Sequence, residues 1–165
     1  EVWTVIAGKG KTIVDGMEQN VKAGDVITSV STGIVLDHIQ AGKSLLIYQL
    51  LELENLDCSV AVIQNARSGK YGKKDIIKID QLIDLDFDVL GYVDPNITVN
   101  IVKDGKMVDK KHMALPERLT NVIQCKNPRC ITSIERGVPQ RFRLADPNRR
   151  WYRCEYCDTD HVAQR

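Results

Sequence analysis

Four cysteines in the last part of the chain constrain its folding more than any other feature. Cys125-Lys-Asn-Pro-Arg-Cys130 is a C-x4-C pair, Cys154-Glu-Tyr-Cys157 is a C-x2-C pair, and 23 residues separate them. The segment from Leu115 onward, about 50 residues, is too short to bury a self-sufficient apolar core, so it needs a staple. Two short cysteine pairs on either side of a strand-rich stretch suit a tetrahedral zinc site of the ribbon type. Each pair closes a tight knuckle on one side of the metal. Four thiolates fill the coordination sphere, so such a site is structural. Two disulfides are the alternative and would require an oxidising compartment. An iron–sulfur cluster is a third use of four cysteines, less suited to this spacing. The start, Glu1-Val2-Trp3, is neither basic nor a long apolar run. The expectation is therefore a chain without a secretory leader, cytoplasmic, with thiols free for zinc. No stretch is apolar for the roughly 18 residues a membrane helix needs.

Charge changes where the cysteines begin. The chain has 165 residues and a formal charge of +1, too close to neutral for a protein that coats nucleic acid or membrane. Residues 1–114 carry 13 basic and 16 acidic residues, and residues 115–165 carry 10 and 6. The joint shift at Leu115-Pro116 predicts a domain boundary, with a body over residues 28–114 and a tail domain over 115–165. Lys126, Arg129 and Arg153 adjoin the cysteines and would offset the −2 formal charge of a four-thiolate zinc. The sharper reading of the basic tail is a face for an acidic partner, nucleic acid included. Aromatics and arginines do not interleave there as a stacking platform, which argues against nucleic acid.

Periodicity predicts the body's elements. Residues 1–27 read as β-hairpins, with Gly8-Lys9-Gly10 and Asp15-Gly16 as turns. The β pattern continues from Ile27 to Ile39, broken at Ser31-Thr32-Gly33. A helix is expected over Gly42–Glu54, with Leu46, Leu50 and Leu53 as its buried stripe, widened by Leu45, Ile47 and Leu51. A strand over Ser59–Asn65, a basic loop over Ser68–Lys74 and a strand over Ile76–Ile79 follow. A helix over Leu82–Tyr92 is expected to stop at Gly91 and Pro95. Ile97–Val102 and Lys106–Lys111 are strands joined by Asp104-Gly105, a strong hairpin signal. The expected class is α+β: a ferredoxin-like β-α-β-β-α-β body, a small all-β zinc-ribbon domain after it, and a β-hairpin segment before it.

No catalytic constellation is apparent. Lys70, Lys73, Lys74 and Lys78 cluster around a glycine loop, and Asp37-His38 closes a strand. Taken alone, a solvated lysine face and a structural Asp-His pair explain these as well as a ligand site does. Gly8-x-Gly10 precedes no helix signal and is too weak for a phosphate loop. Cys58 stands alone and reads as a small buried hydrophobe. His112 and His161 have no supporting pattern.

Together these segments resemble the regulatory chain of aspartate carbamoyltransferase. The matching residues are Gly33-Ile-Val-Leu-Asp-His-Ile39, Gly72-Lys-Lys-Asp-Ile-Ile-Lys-Ile79, Pro95-Asn-Ile-Thr-Val-Asn-Ile101, Leu115-Pro-Glu-Arg118 and both cysteine pairs. The resemblance runs from about Ile27 to the end. It implies a non-catalytic subunit in pyrimidine biosynthesis that forms regulatory dimers and bridges catalytic trimers. Its body would bind CTP or ATP, and its zinc domain would dock on the catalytic chain. The nucleotide site it implies uses Ile27 and Val30, Asp37 and His38 near base and ribose, Lys74, Lys78 and Lys110 at ribose and phosphates, and Asn100 and Met107. A triphosphate needs several cationic donors, and these come from separate strands. Gly105 stands where the best-known members place a tyrosine, so the resemblance carries over no base-stacking ring.

Residues 1–27 do not share this resemblance. They resemble a piece of a cupin barrel, with Glu1-(x6)-Gly8 like the end of its first motif and Gly24-Asp25 like the start of its second. The histidines of a cupin metal site are missing, so no metal is expected there and Glu1 would be a leftover ligand position. Half a barrel cannot bury its own core. The segment reads as a fusion scar, a fragment of a rearranged gene, or a hairpin extension of the regulatory sheet. For the whole chain the other readings are a purely structural tether that has lost nucleotide response, a nucleic-acid-binding zinc ribbon and a cupin enzyme.

Overall fold

The computed structural model describes the backbone of residues 2–4, 9–14, 17–22 and 26–28, and residues 30–162 with their side chains apart from a few positions before them. By compactness the chain divides into two units, one of Glu1–Leu85 and Asn96–His112, the other of Asp86–Pro95 and Met113–Arg165. Among the described residues, no helix is long and apolar enough to cross a membrane.

In the first unit, β1 (Val2–Thr4) pairs antiparallel with β4 (Val26–Thr28). β2 (Lys9–Val14) pairs with β3 (Met17–Lys22). Val14 lies opposite Met17, and the expected turn at Asp15-Gly16 lies outside the described residues. Of the expected turn at Gly8-Lys9-Gly10, Lys9 and Gly10 belong to β2 and Gly8 lies outside the described residues. The Glu1 and Gly24-Asp25 positions of the cupin-like reading lie outside the described residues.

The main sheet has five strands: β5 (Gly33–Gln40), β6 (Val60–Ser68), β7 (Gly72–Ile79), β8 (Thr98–Lys103) and β9 (Lys106–His112). Their order is β6-β7-β5-β8-β9, and every neighbouring pair is antiparallel. Alternation assigns the faces. Ile34 and Leu36 of β5 lie opposite Ile79 and Ile77 on one side and Ile101 and Val99 on the other. All of these are buried except the half-buried Ile101. The helix α1 (Ser44–Leu50) packs against β6 and β7. It is shorter than expected: Glu52 takes a left-handed φ of 51°, and a 3-10 turn over Leu53–Asn55 follows. Ile47 and Leu53 supply its core contacts, whereas Leu45, Leu46 and Leu50, expected in the core, are 55%, 45% and 36% exposed.

Asp75 fixes the start of α1. Its side chain is completely buried. Oδ2 accepts hydrogen bonds from Gly42 N (2.8 Å), Ser44 N (3.4 Å) and Ser44 Oγ (2.7 Å), and Oδ1 accepts one from Asn65 N (2.9 Å). Burial pushes its carboxyl up, and the bonds from Asn65, Ser44 and Gly42 outweigh that and hold it below the usual carboxylate range. Asn65 and His38 have φ of 58° and 61°. Each sits at a register shift where β6 and β5 bulge against β7.

In the second unit, α2 (Phe87–Val93) is capped by Asp86, whose carboxylate accepts from Asp88 N and Val89 N. This cap replaces the expected start at Leu82. A four-stranded antiparallel sheet runs in order β10 (Arg118–Thr120), β11 (Arg141–Asp146), β12 (Trp151–Cys154), β13 (Asp160–Val162), with the one-turn helix α3 (Ile131–Ile134) between the first two strands in sequence. The core is Leu119, Ile123, Cys130, Phe142, Tyr152 and Cys154, with Tyr92 of α2 packed on it. Tyr92 meets Tyr152 edge-on at 5.6 Å and hydrogen-bonds His161 Nε2 at 3.1 Å, while the Arg150 guanidinium donates to the carbonyls of Tyr92 and Val93. Burial pushes the Tyr152 hydroxyl up to about 12, and it donates to Pro116 O at 2.9 Å.

Gly91 lies inside α2 and does not end it. A Cβ there would stand 2.0 Å from Ala114 O. Gly91→Ala is therefore expected to cost about 1–3 kcal/mol despite alanine's better helix propensity. Thermal unfolding measures this, and an unchanged midpoint would show that the Ala114 backbone yields freely.

Candidate functional site

The second unit gathers the four cysteines. Cys125 follows β10, Cys130 precedes α3, Cys154 ends β12, and Cys157 lies in the turn to β13. Cys125 Sγ and Cys157 Sγ are 3.5 Å apart, Cys130 Sγ and Cys154 Sγ 3.8 Å, and all four sulfurs lie within 4.8 Å of one another. A disulfide would need about 2.05 Å. A metal–thiolate tetrahedron with ~2.3 Å bonds has sulfur–sulfur edges of roughly 3.8 Å. The donors and their spacing fit a structural metal.

The surroundings fit as well. Thr132 Oγ1 donates to Cys130 Sγ at 3.2 Å, and Thr159 Oγ1 lies 3.2 Å from Cys157 Sγ. Burial pushes the Cys125 thiol up to about 12, against the thiolate form, so metal binding there must displace a tightly held proton, whereas the contact with Thr159 brings Cys157 down to about 6. Arg153, expected to offset the charge of the metal site, is paired with Asp160: its guanidinium Nε donates to Asp160 Oδ1 at 2.8 Å. Arg118, Arg143 and Arg149 likewise face Glu155, Asp158 and Asp146. Much of the tail's formal positive charge is thus paired at the surface.

The first unit brings most of the other candidates onto the sheet face away from α1. Cross-strand register places Ala61, Lys78, Val35, Asn100 and Lys110 in one row over five strands, and directly opposed residues share a face. Two residues along, Asp37 opposes Thr98, and toward the other end Gly33, Val102 and Met107 form a rung. Val30, Val35 and Val102 pack together beside Ile76. Met107 is 38% exposed. Ile27 lies in β4 opposite Trp3, and its side chain is outside the described residues.

The polar groups of this face are close together. Lys74 Nζ lies 2.7 Å from Asp37 Oδ1 and 2.9 Å from Oδ2. The expected loop over Ser68–Lys74 is shorter, because β7 begins at Gly72 and so carries Lys73 and Lys74. Lys78 is buried, not solvated. His38 Nδ1 is 3.2 Å from Asp37 Oδ2 in a geometry that makes no hydrogen bond. Burial lowers the His38 pKa; Asp37 opposes this, and Lys74, Lys110 and Lys70 lower it further. Asn100 is buried, and its Oδ1 has no hydrogen-bond partner among the described residues. A buried acceptor without a donor is costly unless a ligand supplies one.

Sequence reasoning passed over Asp75 as part of this framework. It also left Tyr71 unassigned, although its ring meets His38 edge-on at 6.5 Å. A single sequence carries no signal for either, since both contacts depend on the bulges of β5 and β6.

Comparison with known proteins gives two family matches. The profile described as aspartate carbamoyltransferase regulatory chain, allosteric domain, matches residues 25–114. The profile for the metal binding domain of the same chain matches residues 117–165. A protein of Clostridium tetani named aspartate carbamoyltransferase regulatory chain is 52% identical over 133 residues, 80% of this chain and 92% of the relative. One from Clostridium botulinum with that name is 50% identical over 132 residues, covering 80% and 90%. One from Bifidobacterium longum is 46% identical over 134 residues, covering 81% and 96%.

Proposed function

Since the chain belongs to the family of aspartate carbamoyltransferase regulatory chains, we propose that it is the allosteric subunit of that enzyme, binding CTP or ATP on its five-stranded sheet. The chain is a regulatory, non-catalytic subunit of an enzyme of pyrimidine biosynthesis. The strand order, with α1 and α2 lying between strands in sequence, supports reading the body as a ferredoxin-like β-α-β-β-α-β arrangement.

One observation supports the nucleotide reading above the others: a single face combines an unpartnered buried Asn100 Oδ1, an apolar patch, and Lys74, Lys78 and Lys110 around Asp37 and His38. In this reading Val30, Val35 and Val102 receive the base, and Asn100 accepts a hydrogen bond from its exocyclic amine. Asp37 and His38 meet the base and ribose, while Lys74, Lys78 and Lys110 meet the ribose and phosphates. Ile27 and Met107 border the base. Gly105 lends no ring: with Asp104 it forms the hairpin turn, and its N–H donates to Ser31 O at 2.8 Å. The mechanism is linkage, in which a nucleotide that binds one quaternary state more tightly shifts the holoenzyme toward it.

Domain roles follow the same reading: residues 28–114 for the effector, 115–165 for the metal and the catalytic chain, and 1–27 as a β-hairpin extension outside the family match. Zinc is the metal that four thiolates at this spacing suit best. The exposed Ile131 and Ile134 beside the Cys130 knuckle, 42% and 63% exposed, are the docking surface for the catalytic chain. The exposed Leu45, Leu46 and Leu50 of α1 are available for self-association into the regulatory dimer. Dimers that dock at both ends bridge catalytic trimers. The cytoplasm, where thiols stay reduced, is the compartment this assembly needs.

Titration of CTP and ATP into the full chain tests the proposal. Lys74→Ala and Lys110→Ala are each expected to weaken binding by about 1–3 kcal/mol through loss of a charge-assisted contact. Unchanged affinity removes that residue from the site. Absence of binding at millimolar nucleotide leaves only a tether between catalytic trimers. Salt-sensitive binding to DNA or RNA without assembly on catalytic trimers would favour a nucleic-acid ribbon instead. The carboxylates facing Arg118, Arg143, Arg149 and Arg153 weigh against that outcome.

A further inference from the structure

The turn between β6 and β7 carries two residues with no role in the site above, Lys70 and Tyr71. The turn is ordered by its own hydrogen bonds. Tyr71 N donates to Ser68 Oγ at 3.3 Å, and Lys73 N donates to Tyr71 O at 2.8 Å. Gly72 supplies the left-handed φ of 72° that returns the chain into β7. The Tyr71 ring meets the His38 ring edge-on, with centroids 6.5 Å apart and planes at 77°. Lys70 Nζ lies 5.0 Å from the Tyr71 ring centroid, within cation–π range. Among the described residues, no carboxylate lies within ion-pair distance of Lys70.

These contacts place an ammonium group on the His38 side of the site. The charge there is one-sided. Asp37 is the carboxylate that Lys74 already engages, and Lys70 and Lys110 add to the positive field that acts on His38. At the opposite end of the face, the Gly33–Val102 rung is apolar. From that rung to the Asp37–Thr98 rung is four residues along β5, roughly 13 Å at ~3.3 Å per residue. The face therefore has an apolar end for a nucleoside and a cationic end for its phosphates, and the β6–β7 turn lies at the cationic end.

We propose that Lys70, held over the ring of Tyr71, is a further phosphate-binding residue that grips the outer phosphates of a nucleoside triphosphate. This rests on the nucleotide reading of the same face and adds the preference for triphosphate over monophosphate. Tyr71 is a positioning residue in this arrangement: its ring steers the lysine and buttresses His38, and its hydroxyl is not required.

The test is calorimetric titration of the full chain with CTP and with CMP, for the unaltered protein and for Lys70→Gln, Tyr71→Phe and Tyr71→Ala. Lys70→Gln is expected to weaken CTP about five- to tenfold and to leave CMP within about twofold. Tyr71→Phe should match the unaltered protein, and Tyr71→Ala should lose about two- to threefold on CTP, because only the ring orients the ammonium. Equal weakening of CTP and CMP by Lys70→Gln, or no weakening of either, overturns the assignment while the nucleotide site stands. Failure of the unaltered protein to bind either nucleotide overturns the site itself, and Lys70 with it.

Discussion

Cys154→Ser is expected to release the metal and unfold the second unit, while Cys58→Ser leaves metal content at one per chain. Cys154 is fully buried, ends β12, and contributes a sulfur 3.8 Å from Cys130. The core it belongs to has six buried residues, two of which are cysteines, so loss of the metal removes much of what orders it. A structural metal of this class contributes on the order of 10 kcal/mol or more to folding, beyond what so small an apolar core supplies. Chelation should reproduce the variant's effect. Metal content by elemental analysis, with proteolysis of residues 113–165 as the folding readout, checks the expectation. A Cys154→Ser protein that stays resistant to protease and still assembles with catalytic chains would refute the staple argument.

Asp75→Asn carries the second large effect. The carboxylate accepts four hydrogen bonds, from Gly42, Ser44 twice, and Asn65, with no exposure to solvent. An amide would turn an NH2 group toward some of these donors, leaving buried groups unpaired at about 1–3 kcal/mol each. The expected loss is about 2–4 kcal/mol, or a melting point lower by roughly 5–15 °C. The pH dependence has a definite sign. A carboxyl whose folded pKa lies below its unfolded value near 3.9 contributes stability that is present above that value. The contribution is lost as pH falls through the lowered folded pKa. Urea melts from pH 6 down to pH 2 should therefore show a steeper acid loss in the unaltered protein than in Asp75→Asn. Parallel curves would show that Asp75 is not the group responsible.

Four strands of the sheet were legible because β5 to β8 are rich in β-branched residues, and β9 because a hairpin turn precedes it. Asp104-Gly105 announced its hairpin, and both residues take the positive φ, 50° and 70°, that such a turn demands. The metal cluster was legible because cysteine spacing encodes local geometry. Three features were not. The bulges that turn His38 and Asn65 left-handed depend on the pairing of β5 and β6 with β7, which no local pattern states. The burial of Lys78 depends on its row across the sheet, not on its strand. Gly91 reads as a helix stop by local rules, yet its reason is the approach of a backbone 23 residues later in the chain at Ala114. The stripe Leu46–Leu50 fails for a related reason: helical spacing identifies an apolar face but not which face finds a partner within this chain.

The membership of α2 has a consequence for how the protein can be taken apart. The chain crosses from one unit to the other three times, after Leu85, after Pro95 and after His112. A single cut at the last crossing cannot yield two whole bodies. The fragment from Met113 onward would lose the helix whose Tyr92 lies on Tyr152 and whose last carbonyls receive Arg150. The other fragment would keep that helix stripped of its partners. A gene for the metal-binding part alone, begun at Leu115, would encode an incomplete object. A whole second unit therefore needs residues 86–95 as well as residues 113–165.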